Sequence, residues 1–190
     1  MNRYILILTL LLATGHSISG QERSTELSVG YFAPYGLQFG GKIGASFNYK
    51  QWKLNAEDGA APIHKLNINP QLGYFVNPDV QQNVLFNTEL SYQRKKANKR
   101  FAPIAALGLG YLLAFQQLGG TVNLANGQIH TEKETLHYFT PTLNLGFEVE
   151  PKKSIGYYFK LFYGRKFGAQ RVDSSIFGVE FGMLLKMKKK

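Results

Sequence analysis

Residues 36–50 read Gly-Leu-Gln-Phe-Gly-Gly-Lys-Ile-Gly-Ala-Ser-Phe-Asn-Tyr-Lys. Every odd position except Gly41 is apolar: Leu37, Phe39, Ile43, Ala45, Phe47 and Tyr49. Every even position is glycine or polar, from Gly36 and Gln38 through Lys42 to Asn48 and Lys50. Successive side chains of a strand point to opposite faces. A period of two over this length therefore predicts one long β-strand with a bulky apolar face and a small polar one.

The same alternation predicts seven more strands. Thr25–Ala33 is the first and the 36–50 stretch the second. Lys65–Val76, Asn83–Gln93, Phe101–Phe115, Leu136–Val149, Ile155–Gly164 and Ser174–Met187 follow. In Phe101–Phe115, for example, Leu107, Leu109, Tyr111, Leu113 and Phe115 share one parity, and Ala102, Ala106, Gly108, Gly110 and Ala114 the other. Strands of soluble sheets usually run about 5–6 residues, whereas about 9–11 cross a bilayer at a tilt. Turn signals separate the strands at Asn77-Pro78-Asp79, at Glu150-Pro151-Lys152-Lys153 and at the basic run Arg94–Arg100. Longer links are expected at Gln51–His64, Gln116–Lys133 and Arg165–Asp173. The second of these contains Asn126-Gly127, a hairpin signal, so the fifth and sixth strands are expected to continue as a ribbon. Pro70, Pro103 and Pro141 fall inside predicted strands, where each removes a ladder donor. Pro103 and Pro141 are expected near strand ends, and Pro70 at a bulge.

Residues 1–20 have the form of a cleaved secretory signal. Arg3 gives a basic start, Tyr4–Ala13 an apolar run, and Ser17, Ser19 and Gly20 a small-residue cleavage region. The apolar run is short of the roughly 20 residues a membrane-spanning helix needs. The expected organisation is thus a signal over 1–20 and one domain over 21–190. No cysteine is present, which excludes disulfides and a thiol-linked lipid anchor. The formal net charge is +10 and aromatics make up 14% of the chain.

The polar face holds mostly Gly, Ala, Ser, Asn and Gln. A water-facing sheet surface is usually denser in charge, and small side chains suit a narrow lumen where eight strands crowd together. The bulky face suits lipid. Aromatics gather toward strand ends (Tyr31 and Phe32, Tyr49 and Trp52, Tyr74 and Phe75, Tyr92, Phe101, Phe115, Tyr138, Tyr163), as in interfacial girdles. In hydrocarbon an open sheet edge leaves backbone groups unpaired at several kcal/mol each, so the sheet must close. The expected fold is all-β: an eight-stranded antiparallel up-and-down transmembrane β-barrel with a side-chain-filled lumen. With both chain ends in the periplasm, the Pro34–Gly36, Gln116–Lys133 and Arg165–Asp173 links face outward and Gln51–His64 inward.

The chain resembles the small eight-stranded outer-membrane barrels of Gram-negative bacteria, of the OmpA and OmpX kind. The runs Ser28-Val29-Gly30-Tyr31-Phe32, Leu72-Gly73-Tyr74-Phe75-Val76, Gly108-Leu109-Gly110-Tyr111-Leu112 and Phe162-Tyr163-Gly164-Arg165-Lys166 are similar to barrels of the Bacteroidetes type. The resemblance implies an outer-membrane location, contact with outer-membrane lipid and lipopolysaccharide, and insertion by the barrel assembly machinery as a monomer. Such barrels commonly finish on an aromatic residue read by that machinery. Here the last residues are Lys186-Met187-Lys188-Lys189-Lys190, and Phe177 and Phe181 keep the required parity upstream.

Charges on the inward parity are the sharpest chemical feature. Lys42, Glu89, Lys160 and Glu180 fall near strand middles, and Glu26, Lys65, Glu148 and Lys186 nearer the ends. Buried charges persist only when paired, so the four central residues are expected to form structural ion pairs across the lumen. His64, His130 and His137 form no metal-ligand spacing, and no metal or cofactor is expected. A lipid-modifying hydrolase would need a hydroxyl, a histidine and an acid converging at one rim. His137 near Thr140 and Glu134 is a conceivable set, but His137 shares the lipid-facing parity of Phe139 and Pro141. The basic runs are expected to meet lipid phosphates and not nucleic acid. No phosphate-binding glycine loop is present. The expected role is structural or surface interaction, without catalysis and without an open pore. The alternatives are a soluble lipocalin-like barrel binding an apolar ligand, and a lipid-modifying outer-membrane enzyme.

Overall fold

The computed structural model describes residues 25–35, 38–53, 61–77, 81–96, 99–122, 129–149, 154–168 and 174–187, with the backbone alone for 118–122 and 129–132. The expected signal and the Asn126-Gly127 turn lie outside the described residues. Eight strands are present: β1 (Thr25–Pro34), β2 (Phe39–Lys53), β3 (Ile63–Asn77), β4 (Gln81–Lys95), β5 (Phe101–Val122), β6 (Ile129–Val149), β7 (Ile155–Lys166) and β8 (Ser174–Lys186). Each pairs antiparallel with the next. β1 also pairs with β8 from Glu26↔Lys186 to Pro34↔Gly178, which closes the ring. The strands thus have one end where β1 starts and β8 finishes, called the terminus end, and an opposite, loop end.

Several strands are longer than the alternation alone indicates. β2 runs to Lys53 and β3 starts at Ile63, which shortens the expected Gln51–His64 link. β4 takes in Arg94 and Lys95, which shortens the basic turn. β5 and β6 pair as far as Val122↔Ile129, with a register shift between Gln117 and Gly120. β4 stops opposite Gln116, and β7 reaches β6 only up to the isolated bridge Phe139↔Phe167. The tips of β5 and β6 therefore stand beyond the ring as a two-stranded ribbon.

The prolines are accommodated without bulges. Pro70 keeps its place opposite Thr88 in the β3–β4 ladder. On its other side the β2–β3 partners run from Gly44↔Gln71 to Phe47↔Ile68 in unchanged register, so the ladder skips the step at Pro70 and does not shift. The expected bulge at Pro70 is thereby corrected. Pro141 lies inside β6, not near its end. It pairs with Leu109, while the β6–β7 ladder is interrupted between Thr142↔Gly164 and Phe139↔Phe167. Pro103 pairs with Phe147, and the β4–β5 ladder ends just before it at Ile104. A missing donor costs one ladder bond on one side, and the other side holds the register. The actual shift in β2 falls between Asn48 and Lys50. The extra residue there reverses the parity of the strand end, so Lys50 and Trp52 come to lie on the outward face opposite Leu66 and His64.

The outward face is apolar. Leu107 and Leu109 are each 64% exposed, and Ile43, Phe47, Leu90, Leu145, Tyr157, Phe177 and Phe181 are exposed around the ring. From Phe177 to Met187 this face rises about 33 Å along β8, or about 25 Å along the axis of a barrel with strands tilted about 40°. That is the height of the apolar band on membrane barrels. A soluble barrel turns its large apolar side chains inward. Exposure on this scale places hydrocarbon, not water, around the ring, and the soluble lipocalin-like alternative is not favoured.

Three expected girdle aromatics are corrected. Phe32, Phe75 and Tyr138 point into the barrel and are 2%, 2% and 8% exposed. Tyr31-Phe32 and Tyr74-Phe75 are neighbours on one strand, so only one of each pair can meet lipid. Spin labels at Phe47, Leu109 and Phe181 in vesicles are expected to report an oxygen-rich hydrocarbon surrounding, and a label at Asn69 a packed or aqueous one. An aqueous reading at the first three positions would overturn the assignment of faces.

Candidate functional site

Lys42, Glu89, Lys160 and Glu180 rise from β2, β4, β7 and β8 on the inward face, and the structure brings all four together. Lys160 and Glu180 stand opposite each other in the β7–β8 register. Lys42 Nζ lies 2.6 Å from Glu180 Oε2 and 3.4 Å from Glu89 Oε1. Lys160 Nζ lies 2.9 Å from Glu89 Oε2. Glu89 is fully buried and also accepts from Asn144 Nδ2 at 3.2 Å and Asn87 Nδ2 at 3.3 Å. Asn87 Nδ2 reaches Gln71 Oε1 as well, at 3.3 Å. The carboxylate therefore has two ammonium groups and two amides around it, the condition under which a buried charge is tolerated. Sequence parity placed the four charges. The two asparagines share that parity, but their convergence on Glu89 depends on pairings between strands far apart in the chain.

Tyr158 belongs to this group although parity alone did not single it out. Its hydroxyl bonds to Glu180, and Lys160 Nζ sits 5.4 Å from its ring centroid. Gly30 and Gly182 pair across the β1–β8 seam. A Cβ on Gly30 would fall on the Tyr158 hydroxyl, and one on Gly182 would come within 2.8 Å of it. The two glycines make room for the phenol.

The interior differs along its length. Toward the loop end lies an apolar cluster of Phe32, Phe75, Leu85, Leu112, Leu136, Tyr138, Phe162 and Ile176. Phe32 stacks on Phe162 at 4.6 Å and meets Phe75 edge-on at 5.5 Å. Tyr35 covers this cluster from the turn after β1. It adopts φ 55°, its hydroxyl donates to Ser175 O at 2.8 Å, and burial pushes its phenol above the ordinary value. Toward the terminus end the interior is polar. A cavity of ≈ 40 Å³ lies between Ser28, Asn67, Ser91, Gln93, Tyr158 and Glu148, room for about three waters at about 10–15 Å³ each. Glu148 accepts from Gln93 Nε2 at 2.9 Å. Glu26 stands opposite Lys186 in the β1–β8 register, and Lys65 opposite Gln93 in β3–β4, all at this end.

The residues of the hydrolase alternative do not converge. His137 is exposed on the outward face and bonds to the Tyr111 hydroxyl at 2.8 Å. Thr140 is 1% exposed on the inward face, and Glu134 shares the parity of Thr140, six positions back along β6. His64, expected in a link, is a strand residue 5% exposed, with Nδ1 2.6 Å from the Tyr92 hydroxyl and its ring stacked on Trp52 at 5.4 Å. The side chain of His130 lies outside the described residues. Among the described residues no group of three His, Asp or Glu is placed to hold a metal.

No family model matches the chain, and no curated protein sequence matches it. Solved structures do. Neisserial surface protein A is similar at 12% identity and a TM-score of 0.50, covering 87% of this chain and 95% of that one. The outer-membrane enzyme PagL is similar at 13% identity and a TM-score of 0.49, over 86% and 99%. The N-terminal barrel domain of Pseudomonas aeruginosa OprF follows at 15% and 0.42, over 89% and 100%. Identities this low bear on the fold alone. It is the eight-stranded up-and-down barrel of small outer-membrane proteins.

Removing one partner of a buried ion pair costs about 3–5 kcal/mol. Glu89→Ala is expected to lower folding stability by about that amount in urea titrations of the refolded barrel. Glu180→Ala and Lys160→Ala are expected to lose heat resistance on semi-native gels. Wild-type resistance in both would dismiss the ion pairs as a stabilising element. Gly30→Ala is expected to lose about 1–3 kcal/mol by overpacking, and adding Tyr158→Phe to recover part of it.

Proposed function

We propose that this chain is a small barrel of a Gram-negative outer membrane, closed by its own side chains, with a structural or surface-interaction role and no enzymatic site. One observation carries the reading. The apolar cluster around Phe32, Phe75 and Phe162 and the ion pairs centred on Glu89 occupy successive levels of an eight-stranded ring, which is just wide enough for side chains to fill. An open pore needs a continuous water path, and this cluster stands across it. The opposed faces of His137 and Thr140 weigh against a hydrolytic centre. Outer-membrane lipid and lipopolysaccharide surround the ring as its partners, nucleic acid is not one, and the barrel assembly machinery inserts the chain as a monomer. Interaction with other molecules falls to the loop end, where the β5–β6 ribbon stands beyond the ring.

In planar bilayers and liposome-swelling assays, the refolded full chain is expected to pass neither sustained current nor small sugars. The double variant Phe32→Ala/Phe162→Ala is expected to leak ions while keeping its heat-modifiable mobility. Sustained conductance by the unaltered chain would overturn the closed-lumen reading.

A further inference from the structure

Among the described residues both ends of the barrel are basic, the terminus end more so. Among these residues the terminus end carries Lys50, Lys53, Lys65, Arg94, Lys95, Lys96, Lys99, Arg100 and Lys186 against Glu26 and Glu148. The loop end carries Lys133, Arg165 and Lys166 against Glu134. A basic rim of this kind draws anionic surfaces at short range.

On that rim, one outward patch is built from three neighbouring strands. The register shift in β2 turns Lys50 and Trp52 outward. Trp52 pairs with His64 on β3, and His64 pairs with Arg94 on β4. The Trp52 and His64 rings stack 5.4 Å apart at 14°, Tyr92 lies 6.2 Å from Trp52, and Lys50 Nζ stands 6.0 Å from the Trp52 ring. His64 is 5% exposed, its Nδ1 is taken by the Tyr92 hydroxyl, and its buried Nε2 has no hydrogen-bond partner in the protein. Leaving a buried ring nitrogen unpaired is costly, so its retention in this patch points to a partner from outside the chain. At the opposite end Tyr111 and His137 form a similar outward pair, but His137 is exposed, so water or a headgroup reaches it freely.

We propose that Lys50, Trp52, His64 and Arg94 form a binding site for the phosphodiester headgroup of an anionic phospholipid in the leaflet at the terminus end. The two basic side chains on β2 and β4 flank the stacked rings and hold the phosphate. The Trp52 ring lies against the glycerol and upper acyl region, where interfacial tryptophans sit. A phosphate group between the two cations supplies the partner that His64 Nε2 lacks within the protein. The proposal rests on the membrane placement above and deepens it by naming one lipid site.

Trp52 is the single tryptophan of the chain, so its fluorescence reads the site directly. The full chain is placed in nanodiscs of phosphatidylcholine containing a minor share of phosphatidylglycerol, with bromine on the acyl chains of one lipid or the other. Brominated phosphatidylglycerol is expected to quench Trp52 well beyond its share of the lipid. About 1 kcal/mol per basic side chain corresponds to about five-fold, so Lys50→Gln and Arg94→Gln are each expected to raise the half-saturating share about five-fold. His64→Phe, which keeps the stack, is expected to lose part of the preference. Lys166→Gln, at the far end, is expected to keep it. Heat-modifiable mobility verifies that each variant is folded. Quenching by both lipids in proportion to their abundance would overturn the site and leave the membrane placement standing. Absence of quenching by either would overturn both. Displacement of phosphatidylglycerol by inorganic phosphate would overturn a lipid site in favour of a soluble-anion one.

Discussion

Closure of the backbone ladder is the constraint on which the rest of this molecule depends. Hydrocarbon offers no partner to an amide or a carbonyl, so an unpaired strand edge at membrane depth costs several kcal/mol for each group it leaves bare. The β1–β8 seam removes that edge, and it sets conditions on particular residues. A Cβ on Gly178 or Gly182 would run into the carbonyl of Ala33 or Val29 on β1. The seam closes because β8 presents glycine where β1 comes nearest. The prolines obey the same logic. Pro70, Pro103 and Pro141 each forgo a bond in one ladder only, and the ladder on the other side continues through them.

Pairing between neighbours fixes each strand against the next, but not the strands that face one another across the lumen. The Glu89 network does that. Through Lys42, Lys160 and Asn144 it links β4 to β2, β7 and β6, and Lys42 extends it to Glu180 on β8. A slip of one residue in any of these strands would turn its member toward lipid, since every side chain changes face. A carboxylate or ammonium facing hydrocarbon is far costlier than a misplaced leucine. The buried charges thus penalise wrong registers more steeply than an apolar interior of equal volume, whatever their net contribution to stability. The apolar cluster toward the loop end fills space, and the ionic level discriminates.

The division into faces was legible in the sequence because it needs only parity. It assigned Leu107, Leu109, Phe177 and Phe181 outward and Lys42, Glu89, Lys160 and Glu180 inward. It failed where a second rule was applied over it. Grouping aromatics by nearness to strand ends put Phe32, Phe75 and Tyr138 in the girdle, although each follows a lipid-facing residue or alternates with one. Parity itself fails past a bulge. Nothing in Asn48-Tyr49-Lys50 announces the extra residue, which depends on how β2 and β3 fit after Ile68 pairs with Phe47. For that reason parity turned Trp52 inward, against its place among the girdle aromatics, and the burial of His64 was hidden. The room that Gly30 and Gly182 leave for Tyr158 was hidden too, because the three residues meet only when the ring closes.

The interior is asymmetric along the barrel axis, and this bears on how ionised groups are kept there. The apolar cluster covers the Glu89 level from the loop end, while the terminus end is lined by Ser28, Asn67, Ser91 and Gln93 around a small cavity. The larger cavity borders the charges from the terminus side. Lys160, Glu180 and Tyr158 border that cavity, so part of their desolvation is offset by solvent, whereas Glu89 and Lys42 depend on protein donors and on each other. The residue most completely withdrawn from water, Glu89, is accordingly the one with the most partners. The chemistry of the two ends follows the same asymmetry. Amides and hydroxyls predominate around the cavity, and phenylalanine, leucine and isoleucine predominate on the loop side of the ionic level, where Asn83 is held by the Phe75 carbonyl.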